Sequence, residues 1–330
     1  MSKFAETRPT GINSERMQIV SHFEEVNLTQ GSYITLGAFD GLHLGHQALI
    51  GSMVKNAHAA GHAAVVVTFT PHPALVLGWR EQFLYLTSPD EKMAELARLG
   101  VDVVVNHPFN LAVSKLTASD FLNAMLRHLH PRAFCVGYDF AIGHGREGDL
   151  TWLKQQAAQH GFDVHHYEPL TLDGEIISSS RVRRALQAGE VEKATRLLGR
   201  PFRLSGLVIA GQQRGRTIGF PTANLRIAPD RAFPIYGVYA CWATLANDST
   251  PYMAAVNVGV RPTFGEGLVS VEAHLLDFSG NLYDREVVLS FVAHLRPEIK
   301  FNGLAALMTQ IRADVAETRR RLAATPLPTP

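Results

Sequence analysis

The chain is short of cysteine, of net charge and of long apolar runs, and each shortage excludes a class of protein. Only two cysteines occur in 330 residues, Cys135 and Cys241. They lie far apart in apolar runs, which fits neither a disulfide framework nor metal-ligand spacing. Two buried free thiols in a reducing cytosol are expected. A formal net charge of +1 leaves no basic tract for duplex nucleic acid. A nucleotide-sized anion, by contrast, needs only a local positive site. No apolar stretch approaches the length of a bilayer span, so no membrane partner is expected. The first residues are polar and mixed in charge through Glu15, without the apolar core of a secretory signal. The reading is a cytoplasmic protein. The end of the chain, Thr325 to Pro330, alternates with proline and cannot sustain regular hydrogen bonding.

What is present is a core. Hydrophobic residues make up 46% of the chain and charged ones 18%, enough to bury a sizeable interior. The length suggests two domains. In the first half, apolar strand-like runs alternate with helical patterns. Tyr33–Phe39, Ala63–Phe69, Val101–Val105, Phe134–Phe140 and Phe162–Tyr167 read as strands. Gln47–Ala60, Ser88–Leu99, a segment from Thr117 to near Pro131, and Leu150–His160 read as helices. Ser88-Pro89-Asp90-Glu91 has the form of a capping box with proline at the first helical position. Alternation of this kind implies an α/β domain with a mostly parallel sheet and helices on both faces. Right-handed crossovers then gather the loops after the strands at one edge, where ligands bind.

The most informative stretch lies at the first such loop. Gly37-Ala38-Phe39-Asp40-Gly41-Leu42-His43-Leu44-Gly45-His46 follows a strand and opens a helix. His43 and His46 are almost one helical turn apart, so both imidazoles can point the same way. Free N–H groups and the positive dipole end add to them, and together they suit a polyphosphate. Thr70-Pro71-His72-Pro73 follows the next strand and holds His72 on a stiff loop, either a rigid turn or part of the same wall. Gly137-Tyr138-Asp139-Phe140 ends a later strand. Asp139 could contact a ribose, a ring nitrogen or a metal, or cap a turn. Ser178, Ser179 and Ser180 precede a helix with Arg181 and Arg183 in its first turn. Serines cap helices well, but arginine there is opposed by the dipole, and a bound phosphate would offset that. These parts together fit nucleotidyl transfer, which needs alignment and charge stabilisation rather than a protein nucleophile.

The second half changes character. A charged helical segment from Arg181 to Leu198 gives way to short alternating runs: Phe202–Ile209, Gly237–Leu245, Met253–Val258, Leu268–Phe278 and Glu286–Phe291. Such runs, separated by turns, predict a small antiparallel barrel or sandwich. A last helix from about Leu304 to Leu322 carries Leu304, Leu307, Met308, Ile311 and Val315 at helical spacing, predicting one face packed on the barrel. The loop Gly211-Gln212-Gln213-Arg214-Gly215-Arg216-Thr217-Ile218-Gly219-Phe220-Pro221-Thr222-Ala223-Asn224 is glycine-rich and basic, so its backbone can wrap phosphates. Thr222 and Asn224 are two apart and face one side. They are either solvent-facing hairpin residues or two neutral oxygens suited to a magnesium that also holds phosphates. In Val271-Glu272-Ala273-His274-Leu275, Glu272 and His274 share a face. A carboxylate in a compact barrel strand is paired or functional.

These motifs resemble those of the bacterial bifunctional riboflavin kinase/FAD synthetases over roughly residues 18 to 320. That family carries G-x-FDG-x-H-x-GH, PHP, G-x-(N/D)-F-x-x-G and SSTxxR motifs in this order, then GRTIGFPTAN. Ser180 stands where the family usually has threonine, and the hydroxyl survives. The resemblance implies a Rossmann-like nucleotidylyltransferase domain at 18–186 that adenylylates FMN to FAD. It further implies a β-barrel riboflavin kinase domain with a C-terminal helix at 187–323. ATP would be co-substrate and Mg2+ cofactor in both steps, with riboflavin, FMN and FAD as the other ligands. By resemblance, His43, His46 and Arg183 serve adenylylation. Gly37, Phe39, Asp40, Gly45, His72, Asp139, Ser178, Ser179 and Ser180 bind its ligands. Glu272 matches the kinase's catalytic base, and Thr222 and Asn224 its metal site. Gly211, Arg214, Gly215, Arg216, Gly219, Pro221 and Arg261 would bind nucleotide or flavin, while His274 is given no role. Alternatives are a chain that retains only one activity, or a non-catalytic flavin-binding regulator.

Overall fold

The computed structural model describes residues 17–79, 82–211, 218–245, 248–260 and 269–325. The chain divides into two units. One comprises residues up to Phe83 with Ser88–Ile177, and the other Leu84–Thr87 with Ser178 onward.

In the first unit the apolar runs become β2 (Ser32–Leu36), β3 (Ala63–Thr70), β4 (Val103–Pro108) and β5 (Pro131–Gly137), preceded by a short β1 (Gln18–Val20) that the sequence patterning does not single out. They are followed by a small pair, β6 (Ala141–Ile142) and β7 (Gly148–Asp149), then β8 (Asp163–Tyr167) and a second small pair, β9 (Thr171–Leu172) and β10 (Glu175–Ile176). The main sheet has the order β1-β4-β3-β2-β5-β8, and every neighbouring pair is parallel. Its helices are α1 (Leu44–Ala59), α2 (Pro73–Val76), α3 (Pro89–Arg98), α4 (Ala118–Leu129) and α5 (Leu150–His160).

The period of two along β3 sorts its side chains into two layers. Val65 and Val67 pack in a cluster with Phe121, Leu122 and Met125 of α4. Ala64 and Val66 pack in another with Ile50 and Met53 of α1 and Leu96 of α3. A strand buried on both faces is what a parallel sheet requires. The chain order reverses between β2 and β5, which makes their C-terminal ends the switch point where ligands bind in such folds.

Several boundaries differ from expectation for local reasons. β2 stops at Leu36 because Gly37 turns the chain, and α1 starts three residues early because His43 caps it. Phe140 is outside β5, since its N–H turns back to the Gly137 carbonyl at 3.2 Å. The Ser88–Glu91 capping box forms at the start of α3, and Thr117–Asp120 makes another at the start of α4.

In the second unit the charged segment is two helices, α6 (Ser179–Gln187) and α7 (Val191–Leu198), broken at Gly189, whose φ is 77°. Six strands follow: β11 (Phe202–Ile209), β12 (Ala223–Arg226), β13 (Gly237–Leu245), β14 (Asp248–Val260), β15 (Val269–Leu275) and β16 (Glu286–Pro297). They close into a barrel in the order β11-β12-β15-β14-β13-β16, every pair antiparallel. The barrel, not the sandwich, is therefore the architecture, and closure leaves no free sheet edge.

The last helix, α8 (Leu304–Ala323), packs on the barrel along the face its apolar residues predict, with Leu322 in one cluster with Ala240, Trp242 and Ala293. Asp314, Thr318 and Leu322 are its buried residues, while Leu304 is 57% exposed. Leu307 and Ile311 line a cavity instead of a packed core. Beside that face Arg296 of β16 grips Asp314 with Nε at 2.9 Å and Nη2 at 2.7 Å.

Candidate active sites

The glycine turn after β2 is built from backbone conformations that few residues adopt. Phe39, Gly41 and Leu42 all have positive φ, of 48°, 81° and 42°. Strain at a non-glycine residue persists where the surroundings fix it, and such positions gather at functional sites. A side chain at Gly37 would sit 3.0 Å from the Phe39 ring. The turn delivers His43 to the N-cap of α1, where its Nδ1 accepts from the His46 N–H at 3.4 Å. The two imidazoles then stack with centroids 3.6 Å apart. Gly45 makes this possible, since a Cβ there would come within 3.2 Å of the His43 ring.

Burial sets the charge of this pair. It pushes His43 down to about 4. It lowers His46 well below its ordinary value, helped by the fields of His43 and Lys92. Without a ligand both rings are therefore neutral at pH 7, and a neutral imidazole can still donate a hydrogen bond to an anion. His46 Nδ1 is buried with no hydrogen-bond partner among the described residues.

Phe39 and Asp40 are both buried. Phe39 packs in the cluster with Leu42 and Ile50, and Asp40 is 2% exposed. Asp40 lies in the field of Lys92, a buried cation of α3 whose Nζ donates to the Ala38 carbonyl at 2.9 Å. Burial lowers the Lys92 ammonium and Asp40 opposes that shift. The pair fastens the turn from behind. Sequence reading missed Lys92; its position on the inner side of α3, beside Leu96, was the available signal.

A cavity of about 640 Å3 opens at the same edge. Gly37, His72 and Asp139 of the expected residues lie on its wall, with Phe69, Phe109 and Phe140 as apolar lining. His72 is the N-cap of α2, accepts from the Ala74 N–H at 3.1 Å, and stacks on Phe83 at 3.9 Å. It is thus a fixed wall as well as a cap. Trp79 and Arg146 also line the cavity, and neither was singled out from the sequence.

In the second unit Ser178 caps α6 and accepts from the Arg181 N–H at 3.3 Å, with Ser179 and Ser180 in its first turn. Arg183 Nε donates to the Leu84 carbonyl at 2.9 Å. That bond uses one of five N–H groups.

The barrel's site follows from strand register. Asn224 of β12 pairs with Glu272 of β15, and Glu272 pairs with Asn257 of β14. The three polar side chains therefore stand in one row across three strands. His274 pairs with Ala255 in the next row on the same face, and Thr222 lies just ahead of β12. Glu272, Asn257, Thr222 and His274 line a cavity of about 330 Å3 closed by Leu307 and Ile311 of α8. His274 is more than a surface neighbour: its Nδ1 donates to the Pro221 carbonyl at 2.8 Å, and its ring meets Phe220 edge-on at 5.6 Å. Glu298 shares the cavity, 3.4 Å from Asn257 Nδ2. Asn257, Glu298 and the Arg296–Asp314 pair were not legible as site residues, because barrel closure alone brings them together.

Gly211 backs Asn224 so closely that a Cβ would fall 2.1 Å from its amide nitrogen. Asn224 is 8% exposed and Thr222 exposed, so one oxygen is fixed and the other open. Two neutral oxygens beside a carboxylate suit a hard cation that keeps waters and phosphate oxygens in its shell. Among the described residues no cluster of three or more His, Cys, Asp or Glu could hold a metal by itself. Gly219 has a φ of 84° just before Pro221. Arg214, Gly215, Arg216 and Arg261 lie outside the described residues. The cysteines are buried and free as expected, and burial raises the Cys135 thiol to about 12.

An α/β module with a neutral histidine pair at its switch point, and a barrel with a carboxylate facing its cavity, define a two-module transferase acting on phosphates. Known proteins agree. A family described as FAD synthetase matches residues 25–181, and one described as riboflavin kinase matches residues 198–322. A bifunctional riboflavin kinase/FMN adenylyltransferase of Listeria monocytogenes is 38% identical over 288 residues, 87% of this chain and 91% of the relative. That of Pseudomonas fluorescens is 39% identical over 302 residues, 88% and 93% of the two chains. A solved structure described as a macrolide-efflux protein from Streptococcus pneumoniae superposes with a TM-score of 0.85 at 30% identity, covering 92% of this chain and 98% of that one. Among the described residues no helix is long and apolar enough to cross a membrane. The chain belongs to the bifunctional riboflavin kinase/FMN adenylyltransferase family.

Proposed function

We infer that the protein phosphorylates riboflavin to FMN and adenylylates FMN to FAD, using ATP in both steps and releasing pyrophosphate in the second. The observation that carries this reading is coverage: relatives named for both activities align over 87–88% of the chain, so neither module is missing. We assign adenylylation to residues 18–186 and phosphorylation to residues 187–323.

In the kinase step Glu272 accepts the proton of the ribityl hydroxyl as that oxygen attacks the γ-phosphate. The neighbouring Asn224 and Thr222 would hold magnesium, which supplies charge stabilisation on the transferred phosphoryl group when bound. The fit rests on the neutral oxygen donors and on the close packing of Gly211 against Asn224. Gly211, Gly219 and Pro221 shape the loop around the nucleotide, and Arg214, Gly215, Arg216 and Arg261 keep the ligand contacts their motifs imply.

In the adenylylation step an FMN phosphate oxygen attacks the α-phosphorus of ATP and pyrophosphate leaves. His43 and His46 donate hydrogen bonds to the phosphate oxygens on which charge grows. Gly37 and Gly45 give the backbone room that this requires. Phe39 and Asp40 support the turn. His72 and Asp139 form walls of the 640 Å3 cavity, whose aromatic lining suits a flavin ring. Ser178, Ser179, Ser180 and Arg183 keep the phosphate-binding role of their motif.

Incubation with riboflavin, ATP and magnesium, followed by chromatography of the flavins, tests the reading. FMN and then FAD are expected. Unchanged riboflavin contradicts it.

A further inference from the structure

We propose that Arg146 recognises the phosphate of the flavin acceptor in the cavity of the first unit; the assignment rests on that unit's adenylylation reading. The cavity has apolar walls such as Phe69, Phe109 and Phe140. An FMN phosphate carries between one and two negative charges near neutral pH and is costly to place there without a cation. Among the described lining residues Arg146 is the one permanently charged cation. The other two basic side chains are committed at Nδ1: His72 to the Ala74 N–H and His144 to the Ser114 carbonyl.

The backbone shows that Arg146 is held in place against its own preference. Its φ is 64°, a left-handed conformation that long side chains rarely adopt. The loop around it is clamped to the start of α4. His144 N–H donates to the Leu116 carbonyl at 2.8 Å, and Glu147 accepts from the Ala118 N–H at 2.7 Å. At Gly143 a Cβ would lie 2.3 Å from Ala118 N, and at Gly148 2.6 Å from Ala118 Cβ. Strain maintained by such a clamp, on a cavity wall, points to a role for the side chain.

The guanidinium is aimed. Its Nη2 donates to the Asp139 carbonyl at 2.7 Å, at the end of β5 and hence at the switch point. That bond uses one of its five N–H groups and sets the plane of the fork. Arginine's fork matches two phosphate oxygens at once, which lysine cannot do.

The test is steady-state adenylylation of FMN by R146Q, R146K and R146G, with riboflavin phosphorylation as the internal control. Lumiflavin, a flavin ring without ribityl chain or phosphate, serves as competitive inhibitor. R146Q is expected to raise KM for FMN by about tenfold or more, with kinase turnover kept. R146K should recover part of the loss. Lumiflavin inhibition and KM for ATP should stay as in the wild type. R146G relieves the positive φ and should melt no lower than wild type. An unchanged KM for FMN overturns the assignment. So does an equal weakening of lumiflavin, which would make Arg146 a loop strap, or a rise in KM for ATP alone. If the wild type makes no FAD from FMN, the underlying reading falls and the assignment with it; if it does and R146Q is unaltered, the assignment alone falls.

Discussion

His43 and His46 stack face to face, 3.6 Å apart, with the His43 ring also capping the helix that carries His46. Two imidazoles this close cannot both be charged cheaply, and burial already disfavours the charge on each.

A pH dependence of stability follows. Histidine in the unfolded chain titrates near 6.5, whereas His43 titrates near 4 and His46 well below its ordinary value. Between these limits the unfolded state binds more protons, so stability is full above about pH 6.5 and falls as pH drops toward 4. The slope is at most about 1.4 kcal/mol per pH unit per histidine. The H43N/H46N double variant keeps a capping side chain at residue 43. Denaturant melts at pH 7.5 and pH 5 should show it losing less stability than the wild type; equal losses would refute this.

The modules separate by mutation. E272Q should slow FMN formation from riboflavin by about a hundredfold or more while FMN is still converted to FAD. H46A should do the reverse and leave FMN accumulating. Product chromatography of each variant checks both, and a variant that stops both steps would count against independent sites.

Gly211 is a sharp test of the Asn224 position. Its added Cβ would meet the Asn224 amide at 2.1 Å, and Asn224 is short and buried. G211A should therefore lower kinase turnover and raise the magnesium concentration needed for half-maximal rate. FMN adenylylation at saturating magnesium should be unchanged. Magnesium titrations of the two reactions read the difference.

The Arg296–Asp314 pair ties α8 to β16. Both side chains are largely shielded, so removing one partner leaves the other charge without its match. D314A should lose about 3 kcal/mol, the low end for breaking a buried pair. It should also raise KM for riboflavin, because Leu307 and Ile311 wall the kinase cavity. The double variant R296M/D314L should recover most of the stability, which thermal melts would show.

Much of this was written locally. Buried β-branched runs such as Ala63–Thr70 announce a parallel strand, and the Ser88–Glu91 capping box announces a helix start. The turn from Gly37 to His46 was legible because its glycines and histidines act within one loop. What was hidden depends on long-range closure. Asn257 and Glu272 meet through strand register, and Asp314 is pulled inward by an arginine 18 residues earlier in the chain. The apolar pattern of α8 announced the face that meets the barrel, but not the ion pair beside the cavity. Asp40 was legible as part of the turn, but not the cation whose field acts on it. Its partner Lys92 is 52 positions away and gives no local sign.

The most direct test of two ATP-using sites on one chain is to follow the label from two forms of ATP. With riboflavin and γ-labelled ATP, both FMN and FAD should carry label, because the transferred phosphoryl group stays in the product. With α-labelled ATP, only FAD should. Label from α-labelled ATP in FMN, or FAD that carries none from either form, would contradict the account.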